Sequence, residues 1–572
     1  MGVRGSMTCD TLWVVQRDSE DPPVEPEDEV FVVDEALRGV TTDRIFGLIE
    51  TLYRADIDTR SGFPLYDIVK NYRVVVPSPK YTFAFAVLVY RELDAVVEKW
   101  DPDRIRCGDI QDFYAPVVRD VCDEHAVELR GTTYRGKSTS RTYLAAVAKA
   151  GAAVADTFVS AVRNVPRTPT IDADTVVLPR IDRFGTIQSV IDRLTGEVAL
   201  FDTEIRGPLL PGDPYPSPDG YDCPSLHSLA TPGDAAEIAR FLVRDLPGDL
   251  LATDDVKSQL VATLAAEEGV TMEHTAEYMA HNLYRRAVEA KLYTVLSGRL
   301  LEASDCERVV VNGIGVPELT LIREADDDVD VYFVPHGTVS GYEQVLPGDS
   351  NRFVAGVPGK RHLAELPYIP ETGSLDVTGL PKLSTYHENH YDPGISAAGE
   401  IRVLITTQPV QDDVRRQFVS TVVDCLEDAD QAFTPVVKTH PDEDESFYHD
   451  VLETTRGQAQ VSSDDLLGQF RKADLVVTMY SNTGIEAIAA GKPCVSVNLW
   501  RPSILEKPYI SYGPIPTLKS TTEVGSFFDG LDRPTLERTA AEQIEYLREQ
   551  YNLDGDPATK MAGHIEVSEP HG

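Results

Sequence analysis

Three short segments combine residue types that can handle a phosphate or a hydroxyl. In the first, Ala473-Asp-Leu-Val-Val-Thr-Met-Tyr-Ser-Asn-Thr-Gly-Ile-Glu, an apolar run precedes Ser481, Asn482, Thr483 and Gly484. The run predicts a buried strand ending at Thr478, with Ser481 as N-cap of a helix that stops at Gly491. Free N–H groups and the helix dipole at such a start can hold a diphosphate without a metal. Glu486 lies one turn in, placed to accept hydrogen bonds from ribose hydroxyls. The same residues also suffice for a capped helix with no ligand, and this segment alone leaves both readings open.

In the second segment, Thr434-Pro-Val-Val-Lys-Thr-His-Pro-Asp, Lys438, His440 and Pro441 fall at a strand end on the same sheet edge. A histidine there can donate to a phosphate, contact a base, or simply shape a turn. Thr406-Thr407-Gln408-Pro409 ends the preceding strand, so the Thr407 hydroxyl is a further candidate for phosphate or substrate. The third segment, Val331-Tyr-Phe-Val-Pro-His-Gly-Thr, repeats the logic. His336 would serve as general base or orienting donor, or shape the turn, and Gly337 would let backbone approach a ligand. Asp109 and Glu204 are further base candidates behind His336; Asp109 also reads as the N-cap of a helix from Gln111.

Three acidic or histidine-rich clusters look like metal sites and are read otherwise. His387-x-x-His390-x-Asp392 is assigned to a solvated linker without a helix to orient its ligands. The run Asp326–Asp330 reads as a surface loop. Asp442-Glu-Asp-Glu445 reads as a helix N-terminus, where carboxylates favour the dipole. No metal site is expected.

Side chains at strand ends need sheets to carry them, and strand-like runs alternate with helical ones along the chain. Strands are expected at Leu12–Val15, Val30–Val33, Arg104–Cys107, Val127–Leu129, Thr175–Leu178, Val198–Phe201, Val309–Asn312 and Val331–Val334. Helices are expected at Thr42–Ala55, Tyr81–Lys99 and Gln111–His125, then throughout Ala235 to Leu301. After a polar stretch the alternation is cleanest: strands Arg402–Thr406, Thr434–Lys438, Leu475–Thr478 and Cys494–Asn498, with helices at Asp412–Glu427, Glu443–Thr454, Asp464–Lys472 and Ser481–Ala490. The predicted fold class is α/β, two Rossmann-like doubly wound domains facing a cleft, with a helical insert in the first. Residues 1–385 form the first domain with the insert at about 132–300. Residues 386–400 form a linker, 401–533 the second domain, and 534–572 a C-terminal amphipathic helix and tail that packs back across the domains.

In order along the chain, Pro-His-Gly-Thr at 335–338, Val-Thr-Gly-Leu-Pro at 377–381, Lys-Thr-His-Pro at 438–441 and Tyr-Ser-Asn-Thr-Gly-Ile-Glu-Ala-Ile-Ala-Ala-Gly-Lys-Pro at 480–493 resemble nucleotide-sugar glycosyltransferases of the GT-B architecture. The chain is similar to capsule-polysaccharide transferases, HP-motif sialyltransferases and CDP-glycerol glycerophosphotransferases, and UDP-N-acetylglucosamine 2-epimerases share the general plan. The resemblance covers about residues 307–500. It implies that His440 and Pro441 contact the donor nucleotide, that Ser481, Asn482 and Thr483 bind its phosphate, that Glu486 holds ribose, and that His336 and Gly337 lie near the transfer site. The paired acidic motif of the sialyltransferases is missing, which leaves the general base open and speaks against sialyl transfer.

The implied activity is metal-independent, inverting transfer of a sugar from a CMP-, CDP- or UDP-linked donor to a surface glycan or lipid-linked saccharide. The nucleotide-sugar would be a substrate, and no cofactor is expected. A CDP-polyol phosphotransferase, a nucleotide-sugar epimerase and a non-catalytic nucleotide-sugar-binding protein are the alternatives.

Composition narrows the setting. The 572 residues carry 93 Asp+Glu against 53 Lys+Arg, a net charge of −40. That balance argues against unaided binding to nucleic acid or anionic lipid, both of which need clustered Lys/Arg. Only 15 of the basic residues are Lys, and excess carboxylate with scarce Lys resembles proteins of halophilic archaea. The richest apolar stretch, Leu144 to Val162, contains Lys149 and Asp156 and reads as a helix of a soluble protein. Seven cysteines without metal-type spacing, and a start without an apolar leader, predict a cytoplasmic location, with peripheral membrane association possible for such an enzyme.

Overall fold

The computed structural model describes residues 9–15, 27–33, 42–69, 83–108, 110, 114–131, 139–165, 170–180, 184–203, 218, 220–313, 315–325, 329–338, 350–365, 374–395, 399–410, 412–499 and 506–567. Its strands are β1 (Thr11–Val15), β2 (Glu29–Val32), β3 (Arg104–Cys107), β4 (Glu128–Arg130), β5 (Thr175–Leu178), β6 (Val198–Leu200), β7 (Arg308–Val311) and β8 (Asp330–Phe333). They continue as β9 (Asn351–Val354), β10 (Leu375–Val377), β11 (Ile401–Thr406), β12 (Phe433–Lys438), β13 (Gln460–Ser462), β14 (Leu475–Thr478), β15 (Cys494–Val497) and β16 (Thr517–Leu518). They form three parallel sheets ordered β2-β1-β3-β4, β10-β9-β8-β7-β5-β6 and β13-β12-β11-β14-β15-β16. The α/β class is as expected. Central strands such as Leu475-Val-Val-Thr and Cys494-Val-Ser-Val are buried on both faces because helices cover both sides of a parallel sheet.

The first 385 residues, expected to carry one Rossmann-like sheet, carry two. Among the described residues, strands β1 to β4 pair with one another, while β5 to β10 build a separate six-stranded sheet. The expected insert is helical at Thr139–Arg163 and from Pro232 to Ala303, yet between these it contributes β5 and β6 to the second sheet. Its helices join the first two sheets in one apolar core that includes Leu12, Tyr66, Tyr284, Leu296 and Val309.

The expected linker is partly helical. Pro381–His390 is a helix opened by Pro381 at its first position, and it packs against the helix Asn482–Ala489. Further on, Arg533–Tyr551 buries Leu536, Ile544 and Leu547 in the core of the third sheet. Asn552 ends it in the left-handed conformation (φ 51°). A last helix, Pro557–Val567, then returns to the second sheet, where Ala558, Met561 and Ile565 join Val177, Val310 and Phe353. Polar ties secure it: Arg193 pairs with Asp556 at 3.1 Å and Lys560 donates to the Val377 carbonyl at 2.6 Å. Among the described residues no single helix is long and apolar enough to cross a membrane. All seven cysteines are free and buried.

Candidate functional site

The third sheet has the order 3-2-1-4-5-6, and its order reverses between β11 and β14. Ligands of open parallel sheets bind outside the carboxyl ends at such a reversal. Three loops leave the sheet there, Thr406–Gln408 after β11, Thr439–Glu443 after β12, and Met479–Ser481 after β14. Hydrogen bonds tie them together. Gln408 Oε1 accepts from the Tyr480 amide at 3.1 Å, and the Thr407 amide donates to the Lys438 carbonyl at 3.2 Å.

Glu443 organises the second loop, and the sequence reading did not single it out. Its side chain is 1% exposed. Its carboxylate accepts from the His440 amide at 3.0 Å, from the Tyr448 hydroxyl at 2.9 Å, from Arg415 at 3.1 Å, and from the Thr407 hydroxyl. His440 to Glu443 closes a turn, the Glu443 amide donating to the His440 carbonyl at 3.0 Å while its carboxylate reaches back to the His440 amide, and the His-x-x-Glu spacing was the signal. The helix that follows begins at Glu445 with Asp444 as N-cap, which accepts from the Ser446 amide at 2.9 Å. Glu443 is therefore a buried brace, whereas Asp444 plays the helix-end role expected for the whole acidic run. Burial, reinforced by Glu443, pushes the Tyr448 hydroxyl up, so it stays a donor.

His440 stands on this brace. Its Nδ1 accepts from the Asp442 amide at 3.2 Å. The neutral ring then carries its proton on Nε2, which can donate to a ligand. Lys438 is half-buried and donates to the Thr439 carbonyl at 2.8 Å. Thr407 is buried and engaged by Glu443 and by the Lys438 carbonyl, so it positions the loop. Pro441 follows His440 at the loop's exposed turn.

After β14, Ser481 caps the helix Asn482–Ala489, accepting from the Thr483 amide at 3.2 Å. The Thr483 hydroxyl lies 3.0 Å from Ser481 Oγ. Gly484 sits where a Cβ would come within 2.3 Å of the Tyr509 hydroxyl, and that hydroxyl donates to the Ser481 carbonyl at 2.5 Å. Glu486 is buried and bound by Lys382 at 2.6 Å, from the helix Pro381–His390. Tyr386 is pushed up by burial and by Glu486. Lys382 and Tyr386 are thus partners of Glu486 that the sequence reading missed.

The second sheet meets this helix start directly. Asn482 Oδ1 accepts from the Thr338 amide at 3.1 Å and from its hydroxyl at 2.6 Å. A Cβ on Gly337 would lie 2.1 Å from Asn482 Nδ2, so the space expected beside Gly337 for a ligand is taken by Asn482. Lys507, buried, donates to the Thr338 carbonyl at 3.3 Å. The carboxyl ends of β8 and β14 therefore face each other, and His336, half-buried, lies two residues from that contact. Asp109 and Glu204 lie outside the described residues; the helix expected from Gln111 begins at Ala115.

His387 and His390 do lie on a helix, contrary to expectation. His387 Nδ1 is 3.4 Å from the Ala489 carbonyl, and Arg471 lies 3.1 Å from His390 Nδ1. A guanidinium at that distance opposes a bound cation, and no cluster able to hold a metal occurs among the described residues.

No family model and no curated protein sequence matches the chain. Solved structures similar to it include the UDP-GlcNAc 2-epimerase of Methanocaldococcus jannaschii in complex with UDP-GlcNAc and UDP, at 11% identity and a TM-score of 0.38 over 69% of this chain and 99% of that one. The UDP-GlcNAc 2-epimerase of Neisseria meningitidis bound to UDP-GlcNAc is 12% identical, with a TM-score of 0.39 over 69% of this chain and 99% of that one. The wall teichoic acid polymerase TagF is 10% identical, with a TM-score of 0.29 over 48% of this chain and 73% of that one. At scores of this size, the chemistry has to be argued from the side chains of this chain.

Proposed function

We propose that the carboxyl edge of the third sheet holds a nucleotide-sugar and that the protein is a metal-independent, inverting glycosyltransferase. The observation that carries this reading is the convergence of three loops at the reversal of strand order, with His440 held by a buried carboxylate. In the reaction, an acceptor hydroxyl of a glycan or lipid-linked saccharide attacks the anomeric carbon. Its proton passes to a base, for which His336 and Asp109 are the candidates, as the bond to the nucleotide phosphate breaks and the nucleotide leaves with the electron pair. His440 Nε2, Lys438, the Thr483 hydroxyl and the helix dipole at Ser481 would stabilise charge on that leaving group. Glu486 would hold ribose, with Lys382 fixing its carboxylate. The enzyme would work in the cytoplasm, associated peripherally with the membrane that carries its acceptor.

Calorimetric titration of CMP, CDP, UDP, GDP and ADP into the full chain in molar KCl tests the site. Selective binding by the wild type that His440→Ala removes is the expected result. Folded protein that binds none of them would overturn the proposal. A product formed from the nucleotide-sugar without acceptor would assign the chain to the isomerase alternative.

A further inference from the structure

The helix Thr139–Arg163 carries apolar residues on both its faces: Ala146, Ala150, Ala153 and Ala161 enter the core, and larger apolar side chains point outward. Its polar side chains Thr142, Asp156, Thr157 and Ser160 are buried, and Thr142 and Thr157 lie 3.0 and 2.9 Å from His281 and His227. Between Leu144 and Val162 the only other polar residue is Lys149. Leu144, Ala148, Gly151, Ala155, Phe158 and Val162 recur at helical spacing away from the core. Leu144 is 65% exposed, Phe158 37%, Val162 74%, and Val165 just beyond the helix 58%. Val243 and Leu251 are also exposed, on the neighbouring segments Phe241–Asp245 and Leu246–Leu251. The Tyr143 hydroxyl, which donates to the Leu242 carbonyl at 3.3 Å, ties the first of these to the helix. Of the ten exposed large apolar side chains among the described residues, six therefore lie on these adjoining segments. The helix bends by 53° around Lys149, and outward apolar positions continue on both sides of the bend.

Charge identifies what covers this face. Residues 131–170 contain Arg135, Lys137, Arg141, Lys149, Arg163 and Arg167 against a single acid, the buried Asp156. The whole chain has the opposite balance, 93 Asp+Glu to 53 Lys+Arg. A second copy docked by two-fold symmetry would set this basic helix against itself. Nucleic acid would answer the charge and leave the apolar side chains uncovered. An anionic lipid surface answers both.

We propose that the outward face of Thr139–Arg163 is the surface by which the protein lies on an anionic bilayer. Leu144, Phe158 and Val162 enter the boundary between headgroups and acyl chains, and the exposed Arg141 and Arg163 meet lipid phosphates. This gives a place to the membrane association proposed above, on which it rests. It needs no nucleotide site, so a chain that bound no nucleotide would leave it standing.

The test is co-sedimentation of the full chain with phosphatidylglycerol or phosphatidylcholine vesicles in about 0.5 M KCl, where the Debye length still leaves contact charges effective. The expected partition into phosphatidylglycerol exceeds that into phosphatidylcholine by about tenfold. The pair Phe158→Asp with Val162→Asp lowers it by about tenfold or more. Arg141→Gln with Arg163→Gln lowers binding to phosphatidylglycerol alone, and circular dichroism verifies that each variant is folded. Folded wild type that ignores phosphatidylglycerol vesicles overturns the proposal whatever the variants do. So does an aspartate pair that binds like wild type, or a vesicle-free dimer that the aspartate pair converts to monomer.

Discussion

Replacing Glu443 by Gln keeps the shape of the brace beneath His440 and removes its charge. Four donors converge on the carboxylate: the His440 amide, the Thr407 and Tyr448 hydroxyls, and Arg415. A glutamine offers one carbonyl oxygen and turns an NH2 group towards one donor that cannot accept, the His440 amide or Arg415, while the hydroxyl beside it can turn to accept. Hydrogen bonds to a charged group contribute about 1.5–3 kcal/mol each, and a buried donor left unpaired costs about 1–3 kcal/mol. Arg415 keeps Asp412 and lies 4.3 Å over the Phe447 ring, so its own desolvation stays largely compensated. One lost bond and one orphaned donor give a net destabilisation of about 3 kcal/mol. At about 2–4 °C per kcal/mol for a unit of this size, the melting midpoint falls by about 6–12 °C. The His440 amide keeps only the Thr407 hydroxyl, 3.1 Å away, when the NH2 group faces it, and its loop loosens. A displacement of about 1 Å at a binding group costs up to about 100-fold, so nucleotide affinity falls by about tenfold or more. Scanning calorimetry and nucleotide titration in molar KCl measure both, with Glu453→Gln on the exposed face of the following helix as control. A midpoint within about 1 °C of wild type would refute the reasoning, because only surface substitutions are that silent. A lowered midpoint with unchanged nucleotide affinity would reduce Glu443 to a structural residue and detach His440 from the site.

Three further predictions concern other parts of the molecule. Gly337→Ala drives a methyl group into Asn482 and should cost about 1–3 kcal/mol in denaturant unfolding; adding Asn482→Ala, which vacates that space, should recover most of the loss, and no recovery would mean that the strain lies elsewhere. Burial holds His227 down at about 4, so the unfolded chain takes up a proton below about pH 6.5 that the native state refuses. Wild type should therefore lose about 2 kcal/mol more than His227→Gln between pH 7 and pH 5, and parallel stability curves for the two proteins would contradict it. Gln543, fully buried, accepts from the Cys494 amide at 2.8 Å and donates to its carbonyl at 2.7 Å. Gln543→Met leaves both groups unpaired and should destabilise by about 2–4 kcal/mol; a loss of less than about 0.5 kcal/mol, the range of surface substitutions, would show that the bridge contributes nothing.

Period and composition revealed strands wherever a β-branched run is buried on both faces, as in Val403–Ile405 and Leu475–Thr478. They missed β9, β10, β13 and β16, whose runs Asn-Arg-Phe-Val, Leu-Asp-Val, Gln-Val-Ser and Thr-Leu mix polar and apolar residues without a β-branched stretch. Sheet membership was also hidden. Nothing local in Arg104–Cys107 distinguishes pairing with β1 from pairing with β7, since partner choice is settled by long-range packing. At the site, the strand-end positions of Lys438, His440 and Ser481 could be read from the sequence. Their braces could not, because Lys382 reaches Glu486 across 104 positions and Thr338 reaches Asn482 across 144. Glu443 was the exception, a local turn contact three residues apart, masked by its acidic neighbours.

The final helix has a consequence for how the molecule is made. Met561 and Ile565 are fully buried in the core under β5, β7 and β9, and Thr559 bonds a partner 366 positions earlier. During synthesis from the amino terminus, the second sheet is therefore complete in sequence long before its apolar floor is finished. Until then Phe184–Ile191 is the part of that floor already made, and the rest stays exposed while the third sheet emerges, the kind of interval in which apolar surface recruits chaperones or aggregates. A nascent chain stopped just short of Pro557 would hold all the described strands and still lack a finished core in its middle.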